Sequence, residues 1–187
     1  MNTNVPNLIV VTGTPGSGKT TLAHKLAKEI GCPAICRDEI KEGYVITQNK
    51  SHDELGEGVN AKIYDVFFEI VDIYLRYGIT VIIEAAFQHK VWVPRLNEIQ
   101  NVAKLKLLIC DVDASVAWER RQQRLLANPN REKFHGESMN DIFGSVHAVQ
   151  IYDPPSLDVP ILRVNTTNEY DPRFETILHF IMGERGQ

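Results

Sequence analysis

Positive charge is not in excess: 20 Lys and Arg stand against 24 Asp and Glu, a formal net charge of −4 over 187 residues. A protein that coats long nucleic acid needs a basic face, so this balance argues against that class while leaving room for a pocket that takes one charged end. Cysteine is sparse, with Cys32, Cys36 and Cys110 alone. An odd set of three is no disulfide framework, and Cys32 and Cys36 lack the His/Cys cluster of a zinc site, so all three read as reduced core thiols. The six histidines (His24, His52, His89, His135, His147 and His179) contain no H-x-x-x-H pair, which argues against metal ligation by them; only His135, beside a basic segment, draws interest. No apolar run is long enough for a membrane span, and the first residues lack the basic region of a signal peptide. A cytoplasmic enzyme without membrane association is expected. Repeats, low-complexity tracts and linkers are also missing. With 43% apolar and 24% charged residues, the chain reads as one globular domain over residues 1–187.

What is present is a phosphate cradle. Gly13-Thr14-Pro15-Gly16-Ser17-Gly18-Lys19-Thr20 fits G-x-x-x-x-G-K-[ST], in which small residues let the backbone bend so that successive N–H groups converge on phosphate oxygens. Lys19 then supplies a point charge to the β and γ phosphates, and the Thr20 hydroxyl is placed for Mg²⁺. Both flanks fit: Leu8-Ile9-Val10-Val11 is a buried-strand run, and the residues from Lys19 through Thr21 and Leu22 open a helix whose N-terminus faces the anion.

Beyond the cradle, strand and helix patterns alternate. The first helix should end at Gly31, with residues 33–36 as a second strand. Residues 47–58 are polar and Gly-containing and predict a loop. Apolar positions at spacings of three and four predict a helix over 59–76, stopped by Gly78. The β-branched run 79–83 predicts a central strand ending at Glu84. Residues 91–102 read as a helix with Pro94 in its first turn, 104–110 as a strand, and 114–126 as a basic helix broken at 128–130. A polar connection over 131–141, a helix over 142–151, a strand over 159–164 and a helix over 174–182 complete the order. The pattern is α/β: a five-stranded parallel sheet with helices on both faces.

Ligands of such sheets bind beyond the carboxyl ends of the strands, which directs attention to four places. Asp38, after the second strand, can take or orient the proton of an acceptor hydroxyl during in-line transfer, or simply cap the following helix. Arg37 and Lys41 flank it and could hold an anionic acceptor, or be solvated surface charges. Glu84 is placed to hold Mg²⁺, in the manner of a Walker-B acid, or to face the acceptor. Between residues 114 and 135, Arg120, Arg121, Arg124, Arg131 and Lys133 face only Glu119 and Glu132. Arg120 with Arg124, or Arg121 with Arg124, share a helix face and could converge on one polyphosphate from a mobile lid; a solvated basic face is the alternative. Finally, Asn165-Thr166-Thr167-Asn168 could read a nucleotide base or form a plain capped turn.

With these residues assembled, the chain resembles the small P-loop kinases that include the 5′-kinase domain of polynucleotide kinases, zeta toxins, chloramphenicol phosphotransferase and gluconate-kinase-like enzymes, a group often described as AAA-type ATP-binding proteins. The resemblance runs through Gly13 to Thr20, Arg37 to Lys41, Ile82 to Phe87, Arg120 to His135 and Asn165 to Thr167. It implies a P-loop fold with an Arg-rich helical lid over about residues 114–150. ATP and Mg²⁺ are the implied cofactors, Asp38 the implied general base, Lys19 and Thr20 the phosphate and metal contacts, and Arg120 and Arg124 the lid arginines. Two positions differ from members of the group. Lys41 stands where polynucleotide kinases carry an Arg three residues after the Asp, and the His-Pro pair usual in zeta toxins is missing.

The expected activity is transfer of the γ-phosphoryl group of ATP to a hydroxyl of a small molecule, with a nucleic-acid 5′ end as the lesser candidate. The rival is a regulatory ATPase acting through a protein partner. Neither an N-K-x-D guanine motif after a late strand nor adjacent acids at Glu84 is found, which disfavours GTPase and motor readings. Acceptor identity and oligomeric state carry no motif.

Overall fold

The computed structural model describes residues 5–56, 58–128, 130–136 and 152–183. Five strands, β1 (Asn7–Gly13), β2 (Ala34–Cys36), β3 (Val81–Glu84), β4 (Lys104–Asp111) and β5 (Ile161–Asn165), form one parallel sheet in the order β2-β3-β1-β4-β5. Strand alternation sends neighbouring side chains to opposite faces, and both faces are covered. Leu8, Val10, Ile83 and Leu107 pack under Phe67, Val71, Trp92 and Leu96 from α4 (Gly58–Arg76) and α5 (His89–Ile99). Ile9, Val11, Ile82 and Leu108 pack under Leu22 and Leu26 of α1 (Lys19–Ile30) and Ile177 of α8 (Phe174–Met182). Each such fully buried side chain is worth roughly 1.5–3 kcal/mol.

Strand register brings the ends of the strands level. Val11 lies opposite Glu84, Glu84 opposite Cys36, Gly13 opposite Cys110, and Asp111 opposite Asn165. The carboxyl ends of all five strands therefore form one edge, with the cradle after the central strand.

Three local expectations are corrected. Residues 47–58 are not an open loop: α2 (Arg37–Gln48) runs on to Gln48, and α3 (His52–Leu55) follows, started by a capping box in which Ser51 and Glu54 satisfy each other's backbone N–H. Turn-favouring polar residues hid two helix ends. Pro94 is the sixth residue of α5 because that helix starts at His89, so Pro94 removes an interior helical bond instead of sitting harmlessly in the first turn. Within the polar connection expected over 131–141, α7 (Asn130–His135) forms after α6 (Ala114–Ala127). The helix expected over 142–151 lies outside the described residues. No helix among the described residues is long and apolar enough to cross a membrane.

Candidate active site

The loop between β1 and α1 is shaped by glycine at two contacts. Gly16 has φ of 89°, and a Cβ there would meet the Ala117 carbonyl oxygen at 2.5 Å; at Gly13 a Cβ would lie 2.4 Å from the Cys110 carbonyl oxygen. The loop is thus pressed against β4 and the first turn of α6. Thr14 Oγ1 and Ser17 Oγ are buried inside it without a hydrogen-bond partner. Buried hydroxyls are normally satisfied, so two orphans in a loop followed by a helix N-terminus fit a phosphate chain.

Lys19 is 7% exposed and Glu84 2% exposed, and their charges stand 3.7 Å apart, Nζ to Oε1. Thr20 Oγ1 donates to the other carboxylate oxygen of Glu84 at 2.8 Å. Glu84 therefore meets the cradle itself, and both atoms expected around a divalent ion can reach one point. Burial drives the Glu84 carboxyl above the ordinary carboxylate range; Lys19 opposes that and the Asp38 charge adds to it.

Asp38 does not cap α2. The helix starts at Arg37 with Cys36 as its N-cap, which leaves Asp38 in the first turn. Arg37 is pinned, giving Nη1 to Asp38 Oδ1 at 2.9 Å and Nη2 to Asn60 Oδ1 at 2.7 Å. Neither flanking cation is a solvated surface charge: the Arg37 side chain is 15% exposed and Lys41 is buried. Desolvation by itself would raise the Asp38 carboxyl, but Lys19, His135 and Arg37 together outweigh it and hold the group below its ordinary value. Two carboxylates near one lysine are thus pushed in opposite directions, which is how a site separates roles among like groups.

On the other flank of the cradle lies a cavity of about 910 Å³ bounded by Gly16, Gly18, Thr21, Arg120, Arg124 and Thr166. Arg120 gives Nη2 to the Thr166 and Thr167 carbonyls at 2.7 and 3.1 Å. Thr166 in turn gives Oγ1 to the Ser17 carbonyl at 2.8 Å and its N–H to Asp111 at 2.8 Å. The 165–168 segment is therefore a bonded turn whose Thr166 and Thr167 carbonyls are taken by Arg120, yet Asn168 still borders the cavity. Of the alternative arginine pairs, Arg120 with Arg124 faces the cavity, whereas Arg121 is buried outside its lining.

Sequence reasoning missed several contributors. Lys25 of α1 lies 4.0 Å from the Phe174 ring centre and borders the same cavity; helical periodicity cannot say what an exposed lysine covers. Thr12 receives the Trp92 indole N–H at 3.2 Å and shares a hydrogen bond with the Tyr152 hydroxyl. Burial pushes that phenol up to about 12. These partners are 80 and 140 residues from Thr12, a separation that no local pattern bridges. His135, singled out for its neighbours alone, reaches from α7 to α2 and pairs with Glu42 at 2.8 Å.

A family model described as AAA domain matches residues 8–147. Among solved structures, a protein from Chloroflexus aurantiacus assigned as a kinase is 23% identical, with a TM-score of 0.83 over 96% of this chain and 98% of that one. A gluconokinase from Sinorhizobium meliloti is 16% identical with a TM-score of 0.60, over 95% of this chain and 93% of the other. The APS kinase of Mycobacterium tuberculosis, solved with AMPPNP and APS, is 13% identical with a TM-score of 0.61, over 95% and 98% of the two chains. At these identities the likeness is one of fold, an α/β fold of the P-loop kinase kind. Nothing among the curated proteins matches the chain in sequence.

Proposed function

The chain belongs to the AAA domain family, and from that premise we propose that it is an ATP- and Mg²⁺-dependent kinase acting on the hydroxyl of a small molecule. The observation that carries the proposal is the convergence on Lys19. That ammonium is 3.7 Å from Glu84 and acts on the Asp38 carboxylate from α2.

In this reading the backbone of Gly13 to Thr20 and the Thr14 and Ser17 hydroxyls hold the phosphates, with Pro15 shaping the bend. The nucleoside extends past Thr21 into the cavity beside Arg120 and Thr166. Thr20 and Glu84 would hold Mg²⁺, which when bound would screen the phosphate charge. Asp38 receives the proton of the acceptor hydroxyl as its oxygen bonds to the γ-phosphorus and the bond to the β–γ bridging oxygen breaks, releasing ADP. Arg37 and Lys41 hold an acidic group on the acceptor. Lys19 stays charged beside the transferring group, and Arg120 and Arg124 act on it from a lid whose described part is α6 and α7; the rest of the lid expected to about residue 150 lies outside the described residues. Within the single domain proposed for residues 1–187, the described part of that lid ends at Gly136, where an added Cβ would meet His52 at 3.1 Å and Asp53 at 3.2 Å.

A small acceptor is favoured over a nucleic-acid end by the net charge of −4 and by Lys41, which lacks the bidentate fork for a terminal phosphate. The fold shared with a gluconokinase and an APS kinase is in keeping with it. The test is transfer of labelled γ-phosphate from ATP across a panel of neutral and acidic alcohols, nucleosides and 5′-hydroxyl oligonucleotides. An acceptor should be labelled, and Asp38→Asn should lower its rate about 10²–10⁴-fold with ATP affinity nearly unchanged. Hydrolysis without any acceptor, indifferent to Asp38→Asn, would instead establish a regulatory ATPase.

A further inference from the structure

We propose that His24, Cys36 and Glu39 form a binding site for a thiophilic divalent cation of the zinc class, adjacent to the Thr20–Glu84 pair, since Cys36 stands opposite Glu84 in the sheet. The three side chains come from different elements: α1, the end of β2 and the first turn of α2. Their ligand atoms lie within 4.8 Å of one another. The His24 Nε2 to Cys36 Sγ separation is 3.6 Å and the His24 Nε2 to Glu39 Oε1 separation 2.6 Å.

Those distances can be compared with what an ion requires. With zinc–sulfur near 2.3 Å and zinc–nitrogen near 2.05 Å, tetrahedral angles place sulfur and nitrogen about 3.6 Å apart. The protein already holds them at that spacing. Nitrogen and carboxylate oxygen would stand about 3.3 Å apart in the same geometry, so the His24–Glu39 pair has to open by roughly 0.7 Å. It can do so easily: the His24 and Glu39 side chains are 49% and 51% exposed, whereas Cys36 is fixed and 2% exposed. One ligand anchored in the sheet and two adaptable ones leave a fourth position for water.

Donor chemistry selects the class of ion. Imidazole and thiolate suit zinc and its neighbours, while Mg²⁺ prefers an all-oxygen shell such as Thr20 with Glu84 and water. Occupancy involves no redox step: the Cys36 thiol yields its proton to solvent as the metal–sulfur bond forms, and water leaves the ion.

The test is titration of the full chain with Co²⁺ in buffer containing excess Mg²⁺. A thiolate-to-cobalt charge-transfer band should grow to one equivalent and vanish on addition of Zn²⁺. Cys36→Ser should abolish the band. Because that residue is buried, a second variant is needed: His24→Ala, on the exposed side, should weaken Zn²⁺ binding by about tenfold or more while leaving metal-free thermal unfolding unchanged. No band, a band that survives Cys36→Ser, or Zn²⁺ affinity indifferent to His24→Ala would each overturn the site and leave His24–Glu39 as a surface ion pair.

Discussion

Thr20 Oγ1 donates to Glu84 Oε2 at 2.8 Å across 64 residues of sequence. That bond turns the acid at the end of β3 towards the phosphate loop. Glu84→Gln should therefore lower kcat about 10²-fold and raise the Mg²⁺ concentration needed for half-maximal transfer. If Glu84 served the acceptor instead, its KM would rise while the Mg²⁺ dependence stayed put; varying metal and acceptor independently separates the two.

Arg120 and Arg124 face one cavity but are held differently. Arg120 is tied to the Thr166 and Thr167 carbonyls, whereas Arg124 gives Nε to the Arg120 carbonyl at a longer 3.3 Å. Arg120→Ala should raise the nucleotide KM roughly tenfold and also lower the melting temperature, because the bonds to the Thr166 and Thr167 carbonyls are lost. Arg124→Ala should lower kcat with little change in melting. Equal effects of the two alanine variants on melting and turnover would contradict this division.

Gly16→Ala places a methyl group 2.5 Å from the Ala117 carbonyl oxygen at a φ of 89°. Either α6 moves or the loop does. A loss of about 1–3 kcal/mol in stability is expected, with weaker nucleotide binding. Denaturant unfolding with and without ATP measures both; an unchanged midpoint would mean that the loop and α6 are not in register contact.

The two carboxylates should also respond to pH with opposite signs. Glu84 has a folded pKa above its ordinary value, so the native state binds more protons there, and its contribution to stability falls as pH rises from the ordinary carboxylate range through the raised value. Asp38 is held below its ordinary value; its contribution is present above the ordinary range and is lost as pH falls through the lowered one. The wild-type melting temperature minus that of Glu84→Gln should accordingly drop as pH rises from acid, and the same difference for Asp38→Asn should drop as pH is lowered. Parallel curves would refute the assignment.

Local chemistry was enough to reveal the cradle, the helix from Lys19 to its stop at Gly31, the buried strand ending in Glu84 and the closing helix from Phe174 to Met182. Each is announced by short-range rules: glycine where the backbone must bend, β-branched runs for strands, spacings of three and four for helices. The length of α2 and the existence of α3 and α7 were hidden because capping residues such as Ser51 look like loop residues until their partners are known. Which acid meets Thr20, which arginine of the basic helix faces the cavity beside the cradle, and that His24 lies against Cys36 and Glu39 were settled only by tertiary structure. Strand register aligns β-strand ends across many residues of chain, and burial then decides which charges feel one another; neither quantity is defined along a sequence.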